Sequence, residues 1–215
     1  MNRRSFLGGA MAAPLVAAPE GAGIMTLPQP VRRGGKPLME ALAQRRTSRA
    51  LRPGKLSPQQ LSNLLWAAFG VNRDDGRRTA PTAMNLQDTQ IYVFLEEGVY
   101  FYDAPAHTLK LVLAGDHRAR AGTQEDVAQS PVTLVYVSDH ERFTAAPRPV
   151  TDPARITAWE NVHAGFIGQN VYLYAASEAM ASCFRASIDG PAVAQLLNLK
   201  PTQKVLYSQT IGLAG

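Results

Sequence analysis

Cysteine is almost absent from this chain. Cys183 is the only one in 215 residues, so no disulfide can close within it. The fold must therefore rest on its core. Histidine is also scarce: His107, His117, His140 and His163 are scattered, and none stands at metal-ligand spacing from a cysteine or carboxylate. No metal site is expected. No basic stripe interleaved with aromatics is present, so nucleic acid is not an expected partner. The apolar run Gly8 to Ala18 is too short, and too rich in Ala and Gly, to span a bilayer. Two segments lack charge of a given kind. No acidic residue precedes Glu20, and no Asp, Glu, Lys or Arg occurs between Asn161 and Ser177.

The first of those gaps surrounds a pattern. Met1-Asn2-Arg3-Arg4-Ser5-Phe6-Leu7 places paired arginines before a weakly apolar stretch, the layout of a bacterial twin-arginine export signal. A basic, disordered N-terminus is the alternative. The export reading implies passage through the twin-arginine translocation machinery and a periplasmic destination. That route carries proteins already folded, often around a cofactor. Residues 1–24 read as the signal, 25–36 as a Pro- and Gly-rich linker, and 37–215 as one folded domain. With 46% hydrophobic and 18% charged residues, that domain has the makeup of an ordinary globular protein. The net charge of +5 leaves an excess suited to an anionic ligand such as a phosphate.

The apolar spacing predicts the elements. Leu38, Ala41 and Leu42 suit a helix behind Pro37 that runs to about Arg46. Ser57-Pro58-Gln59-Gln60 is a capping box opening a second helix, with Gly70 placed at its end. Strands are expected over Gln90–Leu95 and Val99–Tyr102, joined by Glu96-Glu97-Gly98, with a third over Leu109–Leu113. A short helix is expected over Thr123–Gln129. Pro131–Ser138 is apolar on both faces and should be a central strand. One long helix is expected from about Asp152 to Ser182. Apolar nearly all round, it needs burial on most sides, and a second subunit is the simplest cover. A strand at Cys183–Ser187, a short helix opened by Asp189-Gly190-Pro191 and a strand at Lys204–Ile211 complete an α+β pattern.

Three segments could carry chemistry. Arg45-Arg46-Thr47-Ser48-Arg49 puts three guanidinium groups and two hydroxyls within five residues, which suits a phosphate. By itself it also fits a solvated basic helix end. Arg78 to Gln87, containing Pro81, Thr82, Ala83 and Asn85, is a small-residue loop that would let a flat ligand approach the backbone. It fits a plain helix-to-strand connection as well. Gly165-Phe166-Ile167-Gly168 lies in the long helix, where the glycines suggest close packing against another helix.

Taken in order, Arg-Arg-Thr-Ser-Arg, Arg-Thr-Ala-Pro-Thr-Ala-Met-Asn and Gly-Gln-Asn-Val-Tyr-Leu-Tyr-Ala-Ala-Ser-Glu-Ala-Met resemble the FMN-dependent nitroreductase family. The hairpin ending Gly98-Val99-Tyr100-Phe101-Tyr102-Asp103 resembles its compact branch, which includes azoline dehydrogenases. The resemblance implies an α+β sandwich, a central mostly antiparallel sheet flanked by helices, with the long helix at a homodimer interface. It implies FMN as cofactor. Arg45, Arg46 and Thr47 would hold the ribityl phosphate, and Arg49 would sit near the pyrimidine edge of the flavin. Pro81, Thr82, Ala83 and Asn85 would contact the flavin, in part across the dimer. Ala181 to Phe184 would run beside the ring. Many relatives carry a C-terminal cation near the phosphate, whereas here the tail has none and Lys204 is the nearest candidate. The implied activity passes hydride from NAD(P)H or another donor through flavin to a nitro-aromatic, quinone or similar acceptor. The alternatives are a flavin-dependent dehydrogenase acting on a heterocycle and a flavin-binding protein without significant turnover.

Overall fold

A computed structural model describes residues 23–215; the export signal read at the N-terminus lies almost wholly outside them. Seven strands form one antiparallel sheet: β1 (Ile24–Thr26), β2 (Thr89–Phe94), β3 (Gly98–Asp103), β4 (Thr108–Ala114), β5 (Val132–Asp139), β6 (Met180–Arg185) and β7 (Gln203–Leu213). Their order across the sheet is β1-β4-β3-β2-β5-β7-β6. The helices are α1 (Leu38–Gln44), α2 (Pro58–Phe69), α3 (Glu141–Thr144), α4 (Pro153–Ser177) and α5 (Gly190–Leu196). This is the α+β arrangement that the periodicities predict. All eight residues of β5 are buried, which fits its place between β2 and β7.

Each face of the sheet has its own cover. On one, Leu61, Leu64 and Leu65 of α2 pack with Ala164, Ile167 and Val171 of α4 against β2, β5 and β7. On the other, Val193 and Leu197 at the end of α5 join Val127 against Val135 and Val137. The Ser57 capping box is present in full, each side chain bonding the other's backbone N–H. Gly70 ends α2 in extended geometry, and a side chain there would strike the Trp66 backbone.

Three stretches differ from expectation. β1 spans the junction of the segments read as signal and linker; it pairs with β4, and Leu27 behind it is buried. Three residues among prolines and glycines give no periodic signal, so only the neighbouring strand reveals them. Thr123–Gln129 forms a single 3-10 turn over Glu125–Val127. The long helix stops at Ser177, five residues early. Ala179 adopts a left-handed φ of 54° and the chain reverses into β6 at Met180. No glycine or proline marks that turn.

His107 ties the N-terminal segment to the sheet. Ser62 Oγ donates to the Pro28 carbonyl at 2.6 Å and meets His107 Nε2 at 2.8 Å, while Tyr102 OH meets Nδ1 at 3.0 Å. With the hydroxyl proton spent on Pro28, Nε2–H donates to Ser62 and Nδ1 accepts from Tyr102. Burial lowers the His107 pKa, aided by the Arg32 charge and partly opposed by the Pro28 carbonyl. The folded state thus favours the unprotonated ring. Its stabilisation is full above the ordinary value of about 6.5 and is lost as pH falls through the depressed folded value. The stability gap between wild type and His107→Gln, measured by urea unfolding, should therefore narrow from pH 7 to pH 5. A gap that widens on acidification contradicts this assignment.

Candidate functional site

β6 is an edge strand, and its outward backbone groups are where the site is built. Ser48 N–H donates to the Ser182 carbonyl at 2.9 Å, docking the loop after α1 on that edge. Two residues along, Phe184 N–H donates to Tyr172 OH at 2.8 Å. Tyr172 comes from α4, and its hydroxyl lies 2.9 Å from Thr47 Oγ1. The Arg45 guanidinium stacks on the same ring, 5.4 Å from its centroid. Loop, helix and strand are thereby tied at one point, and an edge otherwise open to pairing is covered.

Beside that point is a cleft of about 710 Å³. Its polar wall includes Lys36, Arg45, Arg46, Thr47 and Ser48, and its apolar wall is mostly alanine, from α1, α4, β6 and the tail, with Met180. Among the described residues, neither Arg45 nor Arg46 nor Lys36 has a carboxylate within 4 Å. Cations held together without acids leave an uncompensated positive field, which is what an anionic group requires. Arg49 is exposed and outside the cleft wall.

Lys36 is the cation that sequence reasoning missed. Gly34 and Gly35 take left-handed φ values of 96° and 73°, and a side chain at Gly35 would collide with Ser177 Oγ. That turn lets Lys36 N–H bond Ser177 Oγ at 2.8 Å and brings Nζ over the end of α4, 3.2 Å from the Ala176 carbonyl. Gly34-Gly35-Lys36 was the only available signal, inside a segment read as linker. Lys204 is committed elsewhere. It pairs at 2.5 Å with the fully buried Glu160, which also bonds His140.

The Arg78–Gln87 loop forms a second centre. Met84, Asn85 and Gln87 all have left-handed backbones, with φ of 52°, 55° and 48°. Non-glycine residues held so carry strain that surrounding contacts must offset. His163 of α4 supplies one. Ala83 N–H donates to its Nε2 at 2.8 Å, and its Nδ1 lies 2.6 Å from Asp88 Oδ1. A backbone N–H can only donate, so Nε2 accepts and the ring proton sits on Nδ1, directed at Asp88. Thr82 Oγ1 accepts from Gln87 N–H at 3.0 Å. Arg78, stacked over Phe69, donates to Gln87 Oε1 at 2.9 Å, and burial lowers its pKa.

The two centres do not meet within one chain. None of Pro81, Thr82, Ala83 and Asn85 lines the cleft. His163 and Tyr172 are nine residues apart on α4, or about 13 Å along its axis. Gly168, between them, faces inward: a side chain there would strike the Phe184 ring at 2.5 Å. It is therefore not an interface residue, as its place in the apolar helix had suggested. The opposite face of α4 is the open one. Val162 is 50% and Phe166 44% exposed, and nothing lies within 4 Å of a side chain built at Gly165. Leu38, Met39 and Leu42 of α1, which packs on α4, are exposed as well.

The nitroreductase family's sequence profile matches residues 42–213, from the end of α1 to the end of β7. The chain belongs to the nitroreductase family. Among solved structures it resembles a candidate nitroreductase of Ralstonia eutropha JMP134, with TM-score 0.83 and 36% identity over 93% of each chain. A candidate nitroreductase of Methanocaldococcus jannaschii is 29% identical over 76% of this chain and 85% of its own. The fold is shared with the NADPH:FMN oxidoreductase of Vibrio harveyi, solved with NAD+, at TM-score 0.61 and 19% identity. That alignment covers 82% of this chain and 68% of the other. Nitroreductase membership gives the chain an oxidoreductase character, and its cationic cleft falls within the matched residues apart from Lys36 and the last two positions.

Proposed function

We propose that this nitroreductase-family protein is an FMN-dependent oxidoreductase. One observation carries the reading: Lys36, Arg45, Arg46 and Thr47 converge without a carboxylate on a cleft walled by alanines. Lysine and arginine are donors only, suited to a phosphate, and small side chains leave room for a flat ring system. The cleft volume is in the range of small-molecule cofactor sites. FMN fits this donor set better than an unphosphorylated flavin, which would leave the cations unanswered. Arg45 and Arg46 would grip the phosphate, Thr47 would complete it, and Lys36 would stand in for the cation missing from the tail. When bound, the flavin supplies the redox chemistry between a donor such as NAD(P)H and an acceptor such as a nitro-aromatic or quinone. The protein's part is to hold it, shield it and set the charge around it.

We further propose a homodimer formed on the open face of α4. Such an interface would cover Val162 and Phe166 and bring the Pro81–Asn85 loop of one subunit to the cleft of the other, joining two centres that one chain leaves apart. Phe166→Glu combined with Val162→Glu should give a monomer by light scattering and lose the cofactor. An intact dimer removes this face from the interface.

The export signal makes a periplasmic site the proposed location. NAD(P)H is scarce there, so an exported form would draw electrons from another reduced carrier or a partner protein. The decisive test is the absorption spectrum of the purified protein, followed by anaerobic mixing with donors. A flavin spectrum whose chromophore is released as FMN is expected. Colourless protein that takes up no FMN overturns the proposal.

A further inference from the structure

We infer that Tyr172 is a positioning residue for the anion site, acting through Thr47 as a directed hydrogen-bond relay. The inference rests on the flavin-phosphate reading of the cleft. Two hydrogen-bond partners surround the Tyr172 hydroxyl among the described residues, Phe184 N–H at 2.8 Å and Thr47 Oγ1 at 2.9 Å. The backbone N–H can only donate, so it occupies a lone pair of the phenol oxygen. The phenol oxygen keeps a second lone pair, so the contact with Thr47 Oγ1 admits either atom as donor; the relay assigns the phenol proton to Thr47 Oγ1. Among the described residues Tyr172 is the sole side-chain partner of that hydroxyl, and Thr47 lines the cleft. Its own proton is thus free to point inward.

The direction matters. A threonine hydroxyl in isolation can turn either a proton or a lone pair to its surroundings. In the relay the sense runs inward from the edge of β6: strand N–H to tyrosine, tyrosine to threonine, threonine to ligand. A chain of bonds running one way polarises each member and makes the last a better donor. The relay adds the Thr47 hydroxyl as a directed donor beside Lys36, Arg45 and Arg46 in the cleft wall. The same ring supports Arg45 from beneath, so one side chain orients both Arg45 and Thr47. The ligand class implied is a phosphomonoester, whose oxygens accept on every side.

Tyr172→Phe tests the relay because it keeps the ring under Arg45 and removes only the hydroxyl. Its FMN dissociation constant, measured by fluorescence quenching, should rise about tenfold, with riboflavin changed less than twofold because riboflavin has no phosphate. Thr47→Val should weaken FMN similarly, and the double variant should be little weaker than either single one. Inorganic phosphate, as a competitor of FMN or a stabiliser in thermal melts, should lose its effect in parallel. Equal weakening of FMN and riboflavin would overturn the inference, since the hydroxyl would then serve only Phe184 and the fold. So would strict additivity of the two substitutions, or unchanged FMN affinity in Tyr172→Phe. If the wild type bound phosphate but no FMN, the flavin reading would fall. Loss of phosphate stabilisation in Tyr172→Phe would then still uphold the relay, and its persistence would overturn it.

Discussion

Replacing His163 with leucine should lower the unfolding free energy by about 2–4 kcal/mol, the scale of losing a hydrogen bond to a buried carboxylate and leaving a buried N–H unpaired. His163 is 2% exposed and Asp88 fully buried, so water cannot take the place of either contact. The leucine would leave Asp88 Oδ1 without its 2.6 Å partner, and Oδ2 already has none among the described residues. It would also release Ala83 N–H from the start of the left-handed run Met84-Asn85. Two effects should therefore appear together: a lower midpoint in urea unfolding, and faster proteolysis or hydrogen exchange in the Arg78–Gln87 loop than elsewhere. The paired variant Asp88→Asn with His163→Leu should recover part of the loss, because it removes the stranded charge. A change below about 1 kcal/mol would mean that His163 is a core filler and that the loop holds its shape without it.

Arg45→Ala should weaken FMN binding by roughly 2–5 kcal/mol at most, the range for truncating one side of a hydrogen-bonded charge pair. In dissociation constants this is about thirtyfold to several thousandfold. The upper end is favoured by geometry: Arg45 is half-buried and held in place on Tyr172, so little freedom is lost when it engages an anion. Arg46 and Thr47 are exposed, so their single removals should cost less. Titration of the apoprotein with FMN, with riboflavin as the control lacking phosphate, separates loss of phosphate contact from general damage. Unchanged FMN affinity would remove Arg45 from the site.

Much of this molecule was legible in residue order because its elements are locally specified. The Ser57 capping box acts within four residues, and Asp152 and Asp189 cap α4 and α5 with their own side chains. The short apolar runs of β2 to β4, joined by turn residues, and the unbroken apolar run of β5 needed no partner to be read. Arg45, Arg46 and Thr47 were legible for a related reason, since clustered donors within three residues must present their charge together. Arg49, in the same run, was given a separate place at the pyrimidine edge by the family resemblance, and the fold leaves it exposed outside the cleft wall.

What could not be read depended on contacts far apart in sequence. β1 exists because β4 is beside it, and Lys36 reaches the cleft because Ser177, 141 residues on, fixes the turn at Gly35. His163 gave only a lone histidine on an apolar helix, and its role comes from Ala83 and Asp88, brought to it by the return of β2. The long apolar stretch from Asn161 to Ser177 calls for burial on most sides, but its residue order does not say which sides the chain itself covers. The fold divides it, with Gly168 against Phe184 and Phe166 left open.

The sequence by itself determined the family, the α+β class, the caps and the cationic run, because each is encoded by neighbours along the chain. The tertiary structure alone decided which cations share a cleft, which side chains meet the Tyr172 hydroxyl and which face of α4 is free. Those depend on directions and separations that arise only when strands and helices distant in sequence are packed against one another.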